Sequence, residues 1–224
     1  MSEPEFDQYA ENYDRLLNAS IPDSLNEGGY FAEYKVALMA AWLKDSQPKR
    51  ILDFGCGSGR SLPYLVQYFP SAELWGYDVS PGSLKFAGRR APQARLFSDW
   101  NEIGTIQFDA IIAANVFHHI PLPQRKFAFQ QCYHTLSEQG QFFLFEHNPY
   151  NPATRWIFER CPFDADAEML SLQMAMQLSQ QAGFTIKQHG YTMFFPRPFA
   201  FLRRLEPYLK LLPLGAQYYV QLAR

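Results

Sequence analysis

A short apolar strand running straight into alternating glycines constrains this chain more than any other stretch. Arg50-Ile51-Leu52-Asp53-Phe54 is followed at once by Gly55-Cys56-Gly57-Ser58-Gly59. Glycine at every second position opens backbone conformations closed to other residues, and it lets the backbone approach a ligand with no Cβ in the way. A strand, a glycine turn and a helix in succession belong to an open α/β sheet, whose ligands lie beyond the carboxyl ends of the strands.

The surrounding pattern supplies the rest of such a sheet. Tyr30 to Leu43 carries apolar residues at helical spacing and ends before Pro48. After the glycine turn come a helix over Ser61 to Phe69, a strand over Glu73 to Tyr77, and a helix opened by Ser80 as N-cap with Pro81 behind it. Ala94 to Ser98 and Phe108 to Asn115 read as the third and fourth strands, and Pro121 to Ser137 as a long helix closed by Gly140. The fourth strand is apolar enough to be buried on both faces, and Gln141 to Glu146 is the fifth, with four apolar residues, Phe142-Phe143-Leu144-Phe145. Asp166 to Ala182 reads as a helix stopped by Gly183, and Thr185 to Gly190 and Gln217 to Ala223 as the last strands. Seven strands with intervening helices predict a Rossmann-like α/β domain with a mostly parallel sheet and right-handed crossovers. Residues 191–214, with four prolines among Phe, Leu and Arg, predict an irregular cap with one short helix.

Composition removes several function classes. At 224 residues the chain suits one domain, and a net charge of −2 with pI near 6.2 gives no basic field for nucleic acid. No apolar run approaches the roughly 18 residues of a membrane span, and the acidic start Met1-Ser2-Glu3-Pro4-Glu5 lacks a signal-peptide core, so a cytoplasmic location is expected. Cys56, Cys132 and Cys161 are odd in number and widely spaced, as reduced thiols are. Aromatic residues reach 17%, a surplus suited to an apolar cleft or an association surface.

The glycine loop separates two kinds of ligand. A dinucleotide site requires G-x-G-x-x-G, but Arg60 stands where its third glycine belongs. Asp53, two residues before Gly55, would repel a pyrophosphate and suits a ligand bearing an ammonium or sulfonium. Asp78 ends the second strand 23 residues after Gly55, where a carboxylate can accept from two ribose hydroxyls. Asp99 could accept from an adenine amino group, Val79 and Trp100 could wall the base, and Asn115 closes the fourth strand. Each aspartate alone could equally be a helix N-cap. Together they describe an adenosyl group with an amino-acid tail.

Ile51-Leu52-Asp53-Phe54-Gly55-Cys56-Gly57-Ser58-Gly59 resembles the first motif of the class I S-adenosylmethionine-dependent methyltransferases. Gly76-Tyr77-Asp78-Val79-Ser80 resembles their acidic second motif, and Phe108 to Ile120 and Gly140 to Phe145 resemble their fourth- and fifth-strand regions. The resemblance covers roughly residues 6–190, with the closing strand extending it to the C-terminus. It implies S-adenosyl-L-methionine as cofactor, S-adenosyl-L-homocysteine as product, a sheet ordered 3-2-1-4-5-7-6 and an antiparallel last strand. It also implies N-terminal lid helices over residues 1–45 of a single domain, and the proline-anchored turns within 147–165 read, with 191–214, as substrate-side cap segments. Phe6 to Asp14 is similar to the opening of many small-molecule members, which makes Tyr13 a candidate for the methionine end. Lys35 could pair with the cofactor carboxylate, although a solvated surface lysine is the preferred reading.

An acceptor hydroxyl benefits from a general base near the fourth or fifth strand end, where His118, His119, Glu146 and His147 fall. Glu146-His147 is the favoured region. The E-x-x-E-H metal pattern of similar ubiquinone O-methyltransferases is reduced here to His119, so no metal is expected. Asn115-Val116-Phe117-His118 departs from the N/D-P-P-Y/F motif of amino-group methylation. Residues 194–205, with aromatics between arginines, could roof the cleft, rest on a membrane surface or mediate association; roofing is preferred. The expectation is therefore a methyltransferase for a small, apolar or aromatic acceptor, with oxygen favoured. Methylation of tRNA or protein, and a non-catalytic binding partner, are the alternatives.

Overall fold

Period-two alternation in the strands sorts apolar side chains onto two faces, and both faces are covered. The computed structural model describes residues 29–224, apart from the side chains of Phe163 and Arg197. The proposed opening motif Phe6–Asp14, Tyr13 included, lies outside the described residues.

In chain order the elements are α1 (Tyr30–Trp42), β1 (Arg50–Phe54), α2 (Leu62–Tyr68), β2 (Glu73–Tyr77), α3 (Pro81–Arg90) and β3 (Arg95–Phe97). Then follow β4 (Phe108–Ala114), α4 (Leu122–Thr135), β5 (Leu136–His147), α5 (Pro152–Phe158) and α6 (Leu172–Gln181). The chain closes with β6 (Thr185–Thr192), α7 (Glu206–Leu209) and β7 (Gln217–Ala223). The sheet order is β3-β2-β1-β4-β5-β7-β6. β7 runs antiparallel to both neighbours, and the remaining pairs are parallel. This is the Rossmann-like seven-stranded arrangement expected.

Ile51, Ala110, Ile112, Phe143 and Phe145 face one core with Val36 and Met39 of α1, Leu62 and Leu65 of α2 and Ala87 of α3. Leu52, Ile111, Phe142, Leu144 and Val220 face the other with Phe129 and Cys132 of α4 and Ala175 of α6. Burying each such large side chain contributes about 1.5–3 kcal/mol, so the sheet is fixed from both sides. Its carboxyl edge, where the loops gather, is where side chains can serve another purpose.

Capping follows the sequence closely. Ser80 Oγ accepts from Ser83 N at 3.0 Å with Pro81 in the first turn, and Asn151 Oδ1 accepts from Thr154 N at 2.9 Å ahead of Pro152. Two helices are shorter than their patterns predict. α4 stops at Thr135, so Leu136 already pairs with Phe108 as the start of β5. α6 begins only at Leu172, capped by Ser171, because the chain before it is tied elsewhere: Glu168 N donates to His118 O at 3.0 Å, and Glu168 O accepts from Arg125. Residues 191–214 hold a 3-10 stretch, Arg197–Leu205, and the single turn of α7. No helix among the described residues is long and apolar enough to cross a membrane.

Candidate functional site

The carboxyl ends of β1, β2 and β4 open on one cavity of about 680 Å³, within the range of small-molecule sites. The glycine loop forms its near wall. Gly55 N and Cys56 N both donate to Tyr77 O, at 2.7 and 3.0 Å, which ties the loop to the end of β2. Gly55 and Gly57 have φ of 72° and 51°. A Cβ on Gly55 would strike Val116, whereas one on Gly57 would meet nothing within 4 Å. Gly57 therefore presents bare backbone to the cavity it lines.

Asp53 ends β1 at 2% exposure, and its Oδ2 has no hydrogen-bond partner. Burial, reinforced by the charge of Asp78 and opposed by Lys35, pushes its carboxyl up to about 7. Lys35, on α1, is 4% exposed and lines the same cavity. Burial lowers its amine to about 8 against the attraction of Glu146 and Asp53. The surface-lysine reading is thus corrected: α1 packs down on the sheet and carries this side chain inward. Asp78 is held by two backbone donors, Gly57 N on Oδ2 at 2.8 Å and Ser80 N on Oδ1 at 2.9 Å. Val79 lies exposed on the rim.

Asp99 and Trp100 do not line the cavity. Asp99 Oδ1 accepts from Asn101 N and Nδ2, each at 2.9 Å, and so serves as a cap. The Trp100 ring packs edge-on against Phe54 and Tyr77, at centroid distances of 5.6 and 5.0 Å, and supports the floor from behind. Asn115 does face the cavity. It sits in the left-handed region at φ 59°, with a buried Oδ1 that has no partner. A non-glycine residue held there is strain retained by its surroundings.

The far wall is built around a carboxylate. Glu146 is fully buried near the end of β5 and does not line the cavity. Its Oε1 accepts from Val116 N and Phe117 N at 2.8 and 2.6 Å, and its Oε2 lies 2.6 Å from His118 Nδ1. Burial opposes its ionisation, but His118, His147 and the Phe117 N–H outweigh burial and hold it well below the usual carboxylate range. Burial also opposes a charge on His118, yet Glu146 and Asp164 prevail and raise it to about 9. His119 and His147 move the other way, to about 3 and 4, through burial and the neighbouring His118 charge. Asp164 completes the cluster, its Oδ1 3.6 Å from His118 Nε2 and 3.4 Å from His119 Nε2. His118, His119, His147 and Asp164 all line the cavity.

With two unpartnered acceptors, Asp53 Oδ2 and Asn115 Oδ1, beside bare glycine backbone, the near wall fits a cationic ligand with ribose hydroxyls. A family model described as a methyltransferase domain matches residues 52–142. Over that stretch the chain resembles a methyltransferase domain. It is 49% identical over 45 residues to a trans-aconitate 2-methyltransferase from Methylobacterium nodulans, covering 20% of this chain and 17% of that one. It is 33% identical over 85 residues to a malonyl-[acyl-carrier protein] O-methyltransferase from Anoxybacillus flavithermus, covering 36% and 33%. The chain thus aligns with a third or less of the length of these curated relatives. Among solved structures, the magnesium protoporphyrin IX methyltransferase of Synechocystis with bound S-adenosylhomocysteine superposes with a TM-score of 0.65 at 16% identity, over 97% of this chain and 96% of that one. That likeness shows the fold.

The sequence-based expectations divide by wall. Asp53, Gly55, Gly57, Asp78, Val79, Asn115, His118 and His119 converge on the cavity; Glu146 stands behind it, bonded to His118. Three contributors escaped the sequence reading. Asp164 sits in a proline-anchored loop with no motif around it. Arg125 is 1% exposed and donates to the carbonyls of Ile120, His118 and Glu168 at 2.8, 3.3 and 2.6 Å, which fixes the histidine turn. Glu206 accepts from Tyr34 Oη and Met193 N at 3.0 Å and from Phe194 N at 3.2 Å, joining α1 to the cavity roof. Of residues 191–214, Met193 to Pro196 line the cavity, whereas Phe199, Phe201 and Tyr208 are exposed.

Proposed function

We propose that this protein transfers the methyl group of S-adenosylmethionine to a small-molecule acceptor, with oxygen as the methylated atom. The observation that carries the reading is the buried, unpartnered Asp53 Oδ2 facing the cavity beside the Gly57 backbone. Asp53 would balance the positive end of the donor, Gly55 and Gly57 admit it closely, Asp78 would take its ribose hydroxyls, and Asn115 Oδ1 offers a further acceptor. Bound there, S-adenosylmethionine supplies a methyl group on a cationic sulfur that is discharged on transfer.

The acceptor would occupy the opposite side, between His118 and His119 and an apolar enclosure that includes Phe127, Ile157, Phe158, Phe194 and Phe195. Those side chains exclude water and hold an apolar or aromatic body, so that the reacting oxygen lies in line with the donor. The likeness to a trans-aconitate 2-methyltransferase and to a malonyl-[acyl-carrier protein] O-methyltransferase supports an acyl or carboxylate-bearing acceptor and an oxygen target. Calorimetry with S-adenosylhomocysteine tests the donor half. Asp78→Ala should weaken binding by about 1–3 kcal/mol, or about 5- to 150-fold in Kd. Unchanged affinity in that variant, or no binding by the native chain, refutes the assignment.

A further inference from the structure

We propose that His118, His119 and Asp164 form a binding site for a divalent transition-metal ion of the zinc class on the acceptor side of the cavity. His118 and His119 come from the 3-10 turn after β4, and Asp164 from the one after α5. The three ligand atoms lie within 4.8 Å of one another.

Asp164 Oδ1 lies 3.6 Å from His118 Nε2 and 3.4 Å from His119 Nε2. Ligands bound at about 2.0–2.2 Å around a tetrahedral ion stand roughly 3.3–3.6 Å from each other. The two separations from Asp164 therefore suit groups arranged around a shared centre.

The surroundings carry the features that accompany such ligands. Glu146 engages His118 Nδ1 at 2.6 Å and fixes the ring so that Nε2 points to Asp164. That carboxylate–histidine pairing is how proteins orient a metal-binding imidazole and raise its basicity. Arg125 pins the carbonyls of His118 and Ile120 on either side of the turn, so His119 is held as well. Two imidazoles and one carboxylate select zinc, cobalt, iron or manganese over magnesium or calcium, which prefer all-oxygen shells. Because all three residues line the cavity, a fourth position would open toward an acceptor oxygen. Only that last role rests on the methyl-transfer reading. The metal site stands apart from it, and apart from the E-x-x-E-H pattern, of which the chain retains His119 alone.

The test uses the full, tag-free chain, stripped with a chelator and titrated with Co²⁺. One equivalent should bind and give the intense visible absorption of a four-coordinate site, and Zn²⁺ should bleach it. His119→Ala and Asp164→Asn should each lower the affinity at least tenfold while still binding S-adenosylhomocysteine, which shows that they are folded. Glu146→Gln should lower it about 10- to 100-fold. No stoichiometric endpoint, a six-coordinate spectrum, or equal affinity in both ligand variants overturns the proposal. Cobalt binding without S-adenosylhomocysteine binding would sink the donor assignment and leave the metal site standing; the reverse result would do the opposite.

Discussion

Asp53→Asn tests the logic of the near wall through stability, before any reaction is assayed. In the donor-free protein the Asp53 carboxyl titrates near 7 in place of 3.8, chiefly because it is buried. A folded-state pKa above the unfolded value means that the folded chain keeps a proton the unfolded chain has released. The stabilisation is complete below pH ~4 and is lost as pH rises through about 7. Between pH 5 and pH 7 the loss amounts to about 2 kcal/mol, from roughly 1.36 kcal/mol per unit over most of that interval. Asparagine cannot titrate, so subtracting the two unfolding curves cancels the other groups. Working at pH 7 or below also keeps Lys35, lowered to about 8, mostly charged. Urea unfolding without donor should therefore show the variant gaining about 2 kcal/mol on the native chain from pH 5 to pH 7, or about 4–8 °C in Tm. S-adenosylhomocysteine, whose ammonium would give the ionised carboxylate a partner, should stabilise the native chain more than the variant at the same concentration. Parallel pH curves for the two proteins would refute the account of Asp53 as an uncompensated buried acid.

Three further outcomes follow from the same geometry. Gly59→Ala should destabilise by about 2–4 kcal/mol in urea unfolding, because φ is 80° and the new Cβ would lie 2.7 Å from the Ala87 Cα. Glu206→Ala should cost about 2–4 kcal/mol by stranding Tyr34 Oη and the N–H groups of Met193 and Phe194, and hydrogen exchange should quicken at residues 193–194 more than in the central strands. Arg125→Met should lower stability by about 2–3 kcal/mol, and Arg125→Lys should fail to restore it, since one ammonium cannot reproduce a fork shared by three carbonyls.

What the sequence disclosed and what it withheld separate along physical lines. β1 with its glycine loop, Asp78 after β2 and Ser80-Pro81 at the start of α3 are legible because each depends on neighbours within a few residues. The strand order came with the family resemblance, which those motifs carry. Lys35 was misjudged because local spacing shows that α1 is helical but not which face meets the sheet. Glu206 and Arg125 were invisible for a related reason: their partners stand up to 172 and 43 residues away, and no local pattern encodes such a meeting. The overlong helix before Leu172 has the same origin, since a backbone donor of Glu168 prefers the His118 carbonyl to a helical turn. Asp99 shows the converse, an acid after a strand whose carboxylate closes its own turn.

The cavity described above draws on two unequal parts of the chain. Its near wall, from Asp53 to Asn115, falls within the stretch matched by the family model, whereas His147 to Asp164 and Met193 to Pro196 fall outside it. The shared stretch is braced by the central strands, and the remaining wall hangs on loops anchored by a few side chains such as Asn148, whose Nδ2 donates to Pro213 O and Gly215 O. Changes in those loops can reshape the far side without disturbing the strands that carry Asp53 and Asp78. Such a division would let the loops vary in shape and polarity while the strand-borne carboxylates stay in place.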